Sequence, residues 1–153
     1  MKSLFEQADE IPVTLLVALA YVTMAFLTDP FAPTTEMLHA YGSLSPLGVS
    51  EGEPWRLLSH AFLHGGLLHL VFNTWFLLVL GPSLERVLGS ARMLVLYVVA
   101  ALGAGLAVCL VYRVQQPVVG GSGALFGMMG AIVAWQMRQG RHALAFLDYE
   151  GPR

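Results

Sequence analysis

Charge is what this sequence has least of. Only 12% of its 153 residues are Asp, Glu, Lys or Arg, and they sum to a net charge of -2 with neither a basic run nor an acidic tail. A nucleic acid or other polyanion therefore has no electrostatic footprint to read here. There is one cysteine, Cys109, so no intrachain disulfide can form and the residue says nothing about redox compartment. Internal repeats of fixed period and low-complexity tracts are also missing. What is plentiful is apolar: 56% hydrophobic residues and a mean hydropathy of +0.66, more than a soluble domain of this size can coat with polar surface.

The few charges sit in the gaps between long apolar stretches. Residues 11–28 (18 residues), 57–84 (28), 93–112 (20) and 114–137 (24) contain no Asp, Glu, Lys or Arg. Crossing a hydrocarbon core of about 30 Å takes about 20 apolar residues at a rise of 1.5 Å. Gly65-Gly66 and Gly120-Gly121 interrupt the second and fourth stretches. Four membrane spans are predicted, at about 11–28, 67–84, 93–112 and 122–137, joined on one side by a long loop over 29–66. A cleaved signal peptide fits the first stretch poorly, because Glu6, Asp9 and Glu10 stand where a basic region is expected. Lys2, Arg86, Arg92, Arg138, Arg141 and Arg153 fall on one side and only Arg56 and Arg113 on the other. The excess of cations places both termini in the cytoplasm.

The first loop is rich in Pro, Gly and Ser yet keeps Phe31, Met37, Leu38, Tyr41, Leu44, Leu47 and Val49. A merely solvated connector does not need them, and long structureless loops are uncommon. A folded loop lying partly in the membrane interface is expected.

Polar residues within apolar stretches must be satisfied locally and are functional candidates by default. His69 and Asn73 are four apart, on one face of the second span. By themselves they serve equally as interhelical hydrogen-bonding groups or as chemistry. His60 and His64 precede the double glycine and are expected at the interface. The second cluster is Gly120-Gly121-Ser122-Gly123, with Gly127 following. Flanking glycines let a substrate carbonyl approach a Ser nucleophile. The free N–H groups and positive end of a helix N-terminus can bind an oxyanion. Gly123 and Gly127 also form a small-xxx-small pair suited simply to close helix packing. With four spans, the second and fourth start on the same side. His69 and Ser122 then lie at similar depth, and Asn73 about 6 Å deeper at 1.5 Å per residue.

These residues resemble the rhomboid intramembrane serine proteases. The resemblance runs from about Gly42 to Gly130. It comprises Gly52-Glu53-Pro54-Trp55-Arg56, His60-Ala61-Phe62-Leu63-His64, His69 and Asn73, the segment 81–85 ending in Glu85, Gly89, and Gly120-Gly121-Ser122-Gly123 with Gly127. It implies an all-α, polytopic membrane helix bundle, of whose six-helix core residues 1–153 hold four helices as a single incomplete domain. It also implies a serine endopeptidase that cleaves transmembrane segments of membrane proteins. Ser122 matches the nucleophile. His69, Asn73 and the Ser122 N–H match the oxyanion-hole donors, and Gly121 and Gly123 form the backbone of the nucleophile turn. Phe126 matches an aromatic that packs on the catalytic His. Trp55, Arg56 and Glu85 match residues that pin the first loop and the cytoplasmic end of the second helix. Gly127 matches a close contact of the fourth helix with its catalytic neighbour.

One part of the pattern has no match. Rhomboids use a Ser-His dyad whose His comes from the sixth helix, and only sixteen residues follow Met137. His142 lies twenty residues beyond Ser122, about 30 Å along a continuous helix. His69 is the other candidate base, although by resemblance it donates to the oxyanion. The expected activity is therefore impaired in this chain. The alternative is a catalytically inactive rhomboid-like pseudoprotease that binds transmembrane helices. A metal site at His60, His64 and His69 lacks the glutamate of an HExxH motif and any Cys or carboxylate partner, so no metal and no cofactor is expected. The expected partners are a substrate transmembrane helix and the lipid bilayer, and the compact form suggests a bacterial inner membrane.

Overall fold

A computed structural model describes residues 8–111 and 116–140. Lys2, Glu6, Arg113, Arg141, His142 and Arg153, cited above, lie outside the described residues. The fold is all-helical. Four long helices, α1 (Pro12–Leu27), α5 (Leu67–Leu88), α6 (Ser90–Val111) and α7 (Ser122–Arg138), form the bundle. Three short ones, α2 (Thr35–Ala40), α3 (Pro46–Ser50) and α4 (Arg56–Ser59), fold the long loop. By length and composition α5 and α6 can each cross a membrane, while α1 is apolar but shorter at 16 residues.

The helices begin and end for local reasons. Pro12 sits in the first turn of α1, where its missing N–H costs nothing. The α5 helix starts after Gly66 at φ 122° and stops at Gly89 at φ 82°, conformations open to glycine. It runs through Pro82 and continues past the expected end at residue 84 to Leu88. Only Gly89 separates α5 from α6, which therefore starts three residues earlier than the apolar stretch suggested.

The core is one cluster. Val17, Tyr21 and Ala25 of α1 meet Leu70, Leu77, Leu80 and Leu84 of α5, Met93, Tyr97 and Ala101 of α6, and Leu125, Met128 and Ile132 of α7. The buried residues of α6 recur every four positions, one narrow stripe along the helix. The opposite faces are just as apolar. On α5, Leu68, Phe72, Trp75 and Val79 are 74%, 64%, 62% and 48% exposed. A helix in water carries polar residues on that face, so the medium outside this bundle is hydrocarbon. The chain is an integral membrane protein.

One carboxylate ties α1 to α5. Glu85, buried on α5, accepts hydrogen bonds from the backbone N–H of Val13 and of Thr14, both at 2.8 Å, and from the Thr14 hydroxyl at 2.7 Å. It thus satisfies first-turn donors that α1 cannot satisfy itself, at the positive end of the helix dipole. Gly81 permits the approach, since a Cβ there would lie 2.7 Å from the Thr14 side chain. Glu85 therefore ties its end of α5 to the first turn of α1. Replacing it with Ala strands these donors in a buried setting. We expect Glu85→Ala to cost about 3 kcal/mol, read as a drop in unfolding midpoint in detergent, with Glu85→Gln falling between.

Candidate active site

The loop is folded around Arg56. This guanidinium, 5% exposed, donates from Nε to Glu53 at 2.6 Å and from Nη1 to the carbonyls of His39 and Ser43 at 3.0 and 2.9 Å. Bonding to Arg56 holds the Glu53 carboxyl below its ordinary pKa. The Ser59 hydroxyl donates to the Gly42 carbonyl at 2.6 Å. Thr34 and Ser45 cap α2 and α3, accepting from the N–H of Met37 and Gly48. Leu38 and Leu44 are buried, while Phe31, Tyr41 and Leu47 remain exposed. The expected pinning by Trp55 is corrected: its side chain is 56% exposed, and it contributes only its carbonyl, accepting from Leu58 and Ser59. Arg56 alone of that pair has the charge and reach to gather three segments of loop.

This loop also holds the turn formed by Gly120, Gly121 and Ser122. Leu44 and Val118 exchange two backbone hydrogen bonds, at 2.9 and 3.0 Å, and the N–H of Gly120 donates to the His60 carbonyl at 2.9 Å. The turn then enters α7 at Ser122, whose first-turn N–H groups face the same end of the bundle as the start of α5. A Cβ on Gly120 would lie 2.6 Å from Cε1 and 2.7 Å from Nε2 of His69, so the imidazole rests against the turn. On the far side of that ring, the N–H of Gly65 donates to His69 Nδ1 at 3.3 Å. Asn73 is buried and donates from Nδ2 to the His69 carbonyl at 2.8 Å, which leaves its second N–H free. The structure thus brings His69 to the 120–122 turn, with Asn73 one helical turn along.

Glycine spacing sets the other side. A Cβ on Gly123 would come within 2.5 Å of Ala104 Cβ, and one on Gly127 within 2.6 Å of Ala100 Cβ. The neighbour of Gly127 is α6, the most extensive helix contact in the bundle; the expected catalytic neighbour is not among the described residues. Phe126 is likewise 60% exposed and stands edge-on to Phe76 at 5.9 Å rather than against a histidine. Among the described residues, no hydrogen bond joins Ser122 to a histidine, and no three His, Cys, Asp or Glu side chains gather that could hold a metal.

Two features escaped the sequence reading. Tyr21 and Tyr97 share a buried hydrogen bond at 3.0 Å, and the Tyr21 hydroxyl lies where a Cβ on Gly121 would sit, beneath the 120–122 turn. Hydroxyls in the middle of apolar spans were the available signal. His60 and His64 were expected at the interface, and both are buried, at 3% and 1% exposure. The reason is packing against the bundle: the His60 ring lies at Gly105 of α6, and the Ala61 carbonyl lies at Gly121 beside Tyr21 of α1. The His60 Nδ1 pairs with the Arg56 carbonyl at 3.0 Å. His64 stands edge-on between Tyr21 at 4.8 Å and His69 at 5.3 Å, with neither ring nitrogen hydrogen-bonded.

The rhomboid domain model matches residues 51–147, well over half of the chain. The protein belongs to the rhomboid family, a class of polytopic helical membrane proteins. It is 44% identical over 109 residues to RHOMBOID-like protein 5 of Arabidopsis thaliana, covering 71% of this chain and 34% of that one. It is 40% identical over 99 residues to rhomboid protease GluP of Bacillus subtilis (strain 168), covering 65% and 19%. Rhomboid-like protease 1 of Toxoplasma gondii is 33% identical over 110 residues, covering 71% and 38%. The chain spans between a fifth and two fifths of the length of these relatives. Their spread across a plant, a bacterium and a parasite gives no support to a bacterial inner membrane in particular.

Burial gives the site a pH dependence. Desolvation pushes the His64 pKa from 6.5 down to about 4 and lowers that of His60 as well. The unfolded chain binds these protons below about pH 6.5, whereas native His64 stays neutral until about pH 4. Stability is therefore full above pH 6.5 and declines as pH falls through that window, by about 3 kcal/mol for His64. Unfolding midpoints in detergent between pH 7 and pH 4 should show the decline, and His64→Phe should flatten it. An equally steep curve in the Phe variant would assign it elsewhere.

Proposed function

We propose that this chain carries the nucleophile and oxyanion-binding half of an intramembrane serine endopeptidase. Ser122 Oγ attacks a peptide carbonyl of a substrate transmembrane helix that reaches the outer end of the bundle. The developing oxyanion accepts hydrogen bonds from the Ser122 N–H, from the His69 ring and from the free N–H of Asn73. The observation that carries this reading is the seating of the His69 ring against Gly120, two residues before Ser122, the first residue of α7. The two proteases named among these relatives support it. Membership in the family and the apolar outer faces fit a substrate delivered from the bilayer. In this reading both termini are cytoplasmic and the folded loop lies on the outer side.

An attacking Ser needs a proton acceptor, and none is bonded to Ser122 among the described residues. Removing the base from a Ser-His enzyme leaves at best a residual acceleration of about 10³ to 10⁴ over water, so residues 1–153 alone should be slow. The same observation favours a second reading, a pseudoprotease that binds transmembrane helices without cutting them.

A serine-directed fluorophosphonate separates the two. We expect slow covalent labelling of the detergent-solubilised protein that Ser122→Ala abolishes, and a loss of about 100-fold in labelling rate for Asn73→Ala, the usual scale for one oxyanion donor. Labelling that persists in Ser122→Ala removes Ser122 as nucleophile. Capture of helical membrane peptides without labelling or cleavage selects the pseudoprotease.

A further inference from the structure

We infer that the backbone N–H of Gly65 is a positioning group that locks the His69 imidazole in the tautomer with its proton on Nε2, facing the nucleophile turn. The inference rests on the reading of His69 as an oxyanion donor and supplies the device that makes it one. Gly65 N lies 3.3 Å from His69 Nδ1. A backbone N–H can only donate, so Nδ1 must present its lone pair, and a neutral imidazole then carries its single proton on Nε2. The opposite edge of the ring is the one against the turn: a Cβ on Gly120 would be 2.7 Å from Nε2 but 3.8 Å from Nδ1. The proton thus points where an oxyanion held by Ser122 would form.

No described group competes for Nδ1. His64, whose ring centre is 5.3 Å away, makes no hydrogen bond through either nitrogen. Gly66, at φ 122°, bends the chain so that the amide of residue 65 sits over the side chain four residues on. With Nδ1 engaged and Nε2 protonated, His69 has no lone pair left for the Ser122 proton. It donates and does not act as base, which separates the two roles its position allowed.

The test is ring-nitrogen NMR on the whole chain in micelles at neutral pH, with ¹⁵N-labelled histidine and the His69 signals assigned by their loss in His69→Gln. The wild type should show Nδ1 unprotonated and Nε2 protonated. Gly65→Ala keeps the N–H, and its Cβ finds ordinary contact distances of 3.7 Å to His69 Nδ1 and 3.8 Å to Val119, so its spectrum should match. Gly65→Pro removes the donor, and the His69 signals should shift toward a mixture of tautomers. A wild-type ring protonated on Nδ1 overturns the inference, as does a folded Gly65→Pro protein with an unchanged ring. If Gly65→Pro does not fold, the wild-type and Ala spectra decide. Fluorophosphonate labelling of Ser122 is scored separately: the expected tautomer without labelling defeats the protease reading and leaves the role of Gly65 standing.

Discussion

A methyl group added at Gly120, Gly121, Gly123 or Gly127 would collide each time with a different neighbour: the His69 ring, the Tyr21 hydroxyl, Ala104 and Ala100. The end of the bundle where α5 and α7 begin is built on this close approach. Four glycines within eight positions let one stretch of backbone touch α1, α5 and α6 at once, nearer than any side chain would permit. Ser122, half-buried among these glycines, is thereby fixed relative to three helices through the contacts of its neighbours.

The remaining polar groups are arranged to suit a bilayer. Hydrocarbon offers no hydrogen bonds, so each buried donor needs a partner inside the protein. Glu85 serves the first turn of α1, Arg56 the carbonyls of the loop, and the Tyr21 and Tyr97 hydroxyls serve one another. The Ser43 and Thr74 hydroxyls and the Gln136 side-chain oxygen are exceptions, and so is His64, a neutral imidazole with no bonded nitrogen packed between Tyr21 and the His69 ring. Such a group costs stability, and it lies directly beside the residue whose proton matters most to the proposed chemistry.

Much of this was legible in the residues. Charge-free stretches located all four long helices, and the glycine pairs located where α5 and α7 begin. The odd-even order of spans put the starts of α5 and α7 at one end of the bundle, and the His69 ring does lie against Gly120. The roles of Trp55 and Phe126 were not legible, because a motif records residue identity and not exposure. Trp55 turns outward while Arg56 turns in, and Phe126 meets Phe76. The burial of His60 and His64 was hidden for a related reason: nothing local says whether a loop runs over a bundle or into it.

The sequence by itself determined that the chain is helical, apolar and membrane-embedded, because hydropathy and charge placement are sums over residues that need no neighbour. It also singled out Ser122, His69 and Asn73 as candidates for chemistry. Only the tertiary structure decided which face of each helix is core, since Leu70 and Leu77 are buried while Leu68 and Phe72 are exposed on the same apolar helix. With both faces equally hydrophobic, periodicity cannot choose between them. The same holds for the site: that the Gly120 amide goes to His60 and the Gly65 amide to His69 depends on contacts between segments distant in the chain or folded back on it. Directional hydrogen bonds of this kind exist only once the packing has set the distances.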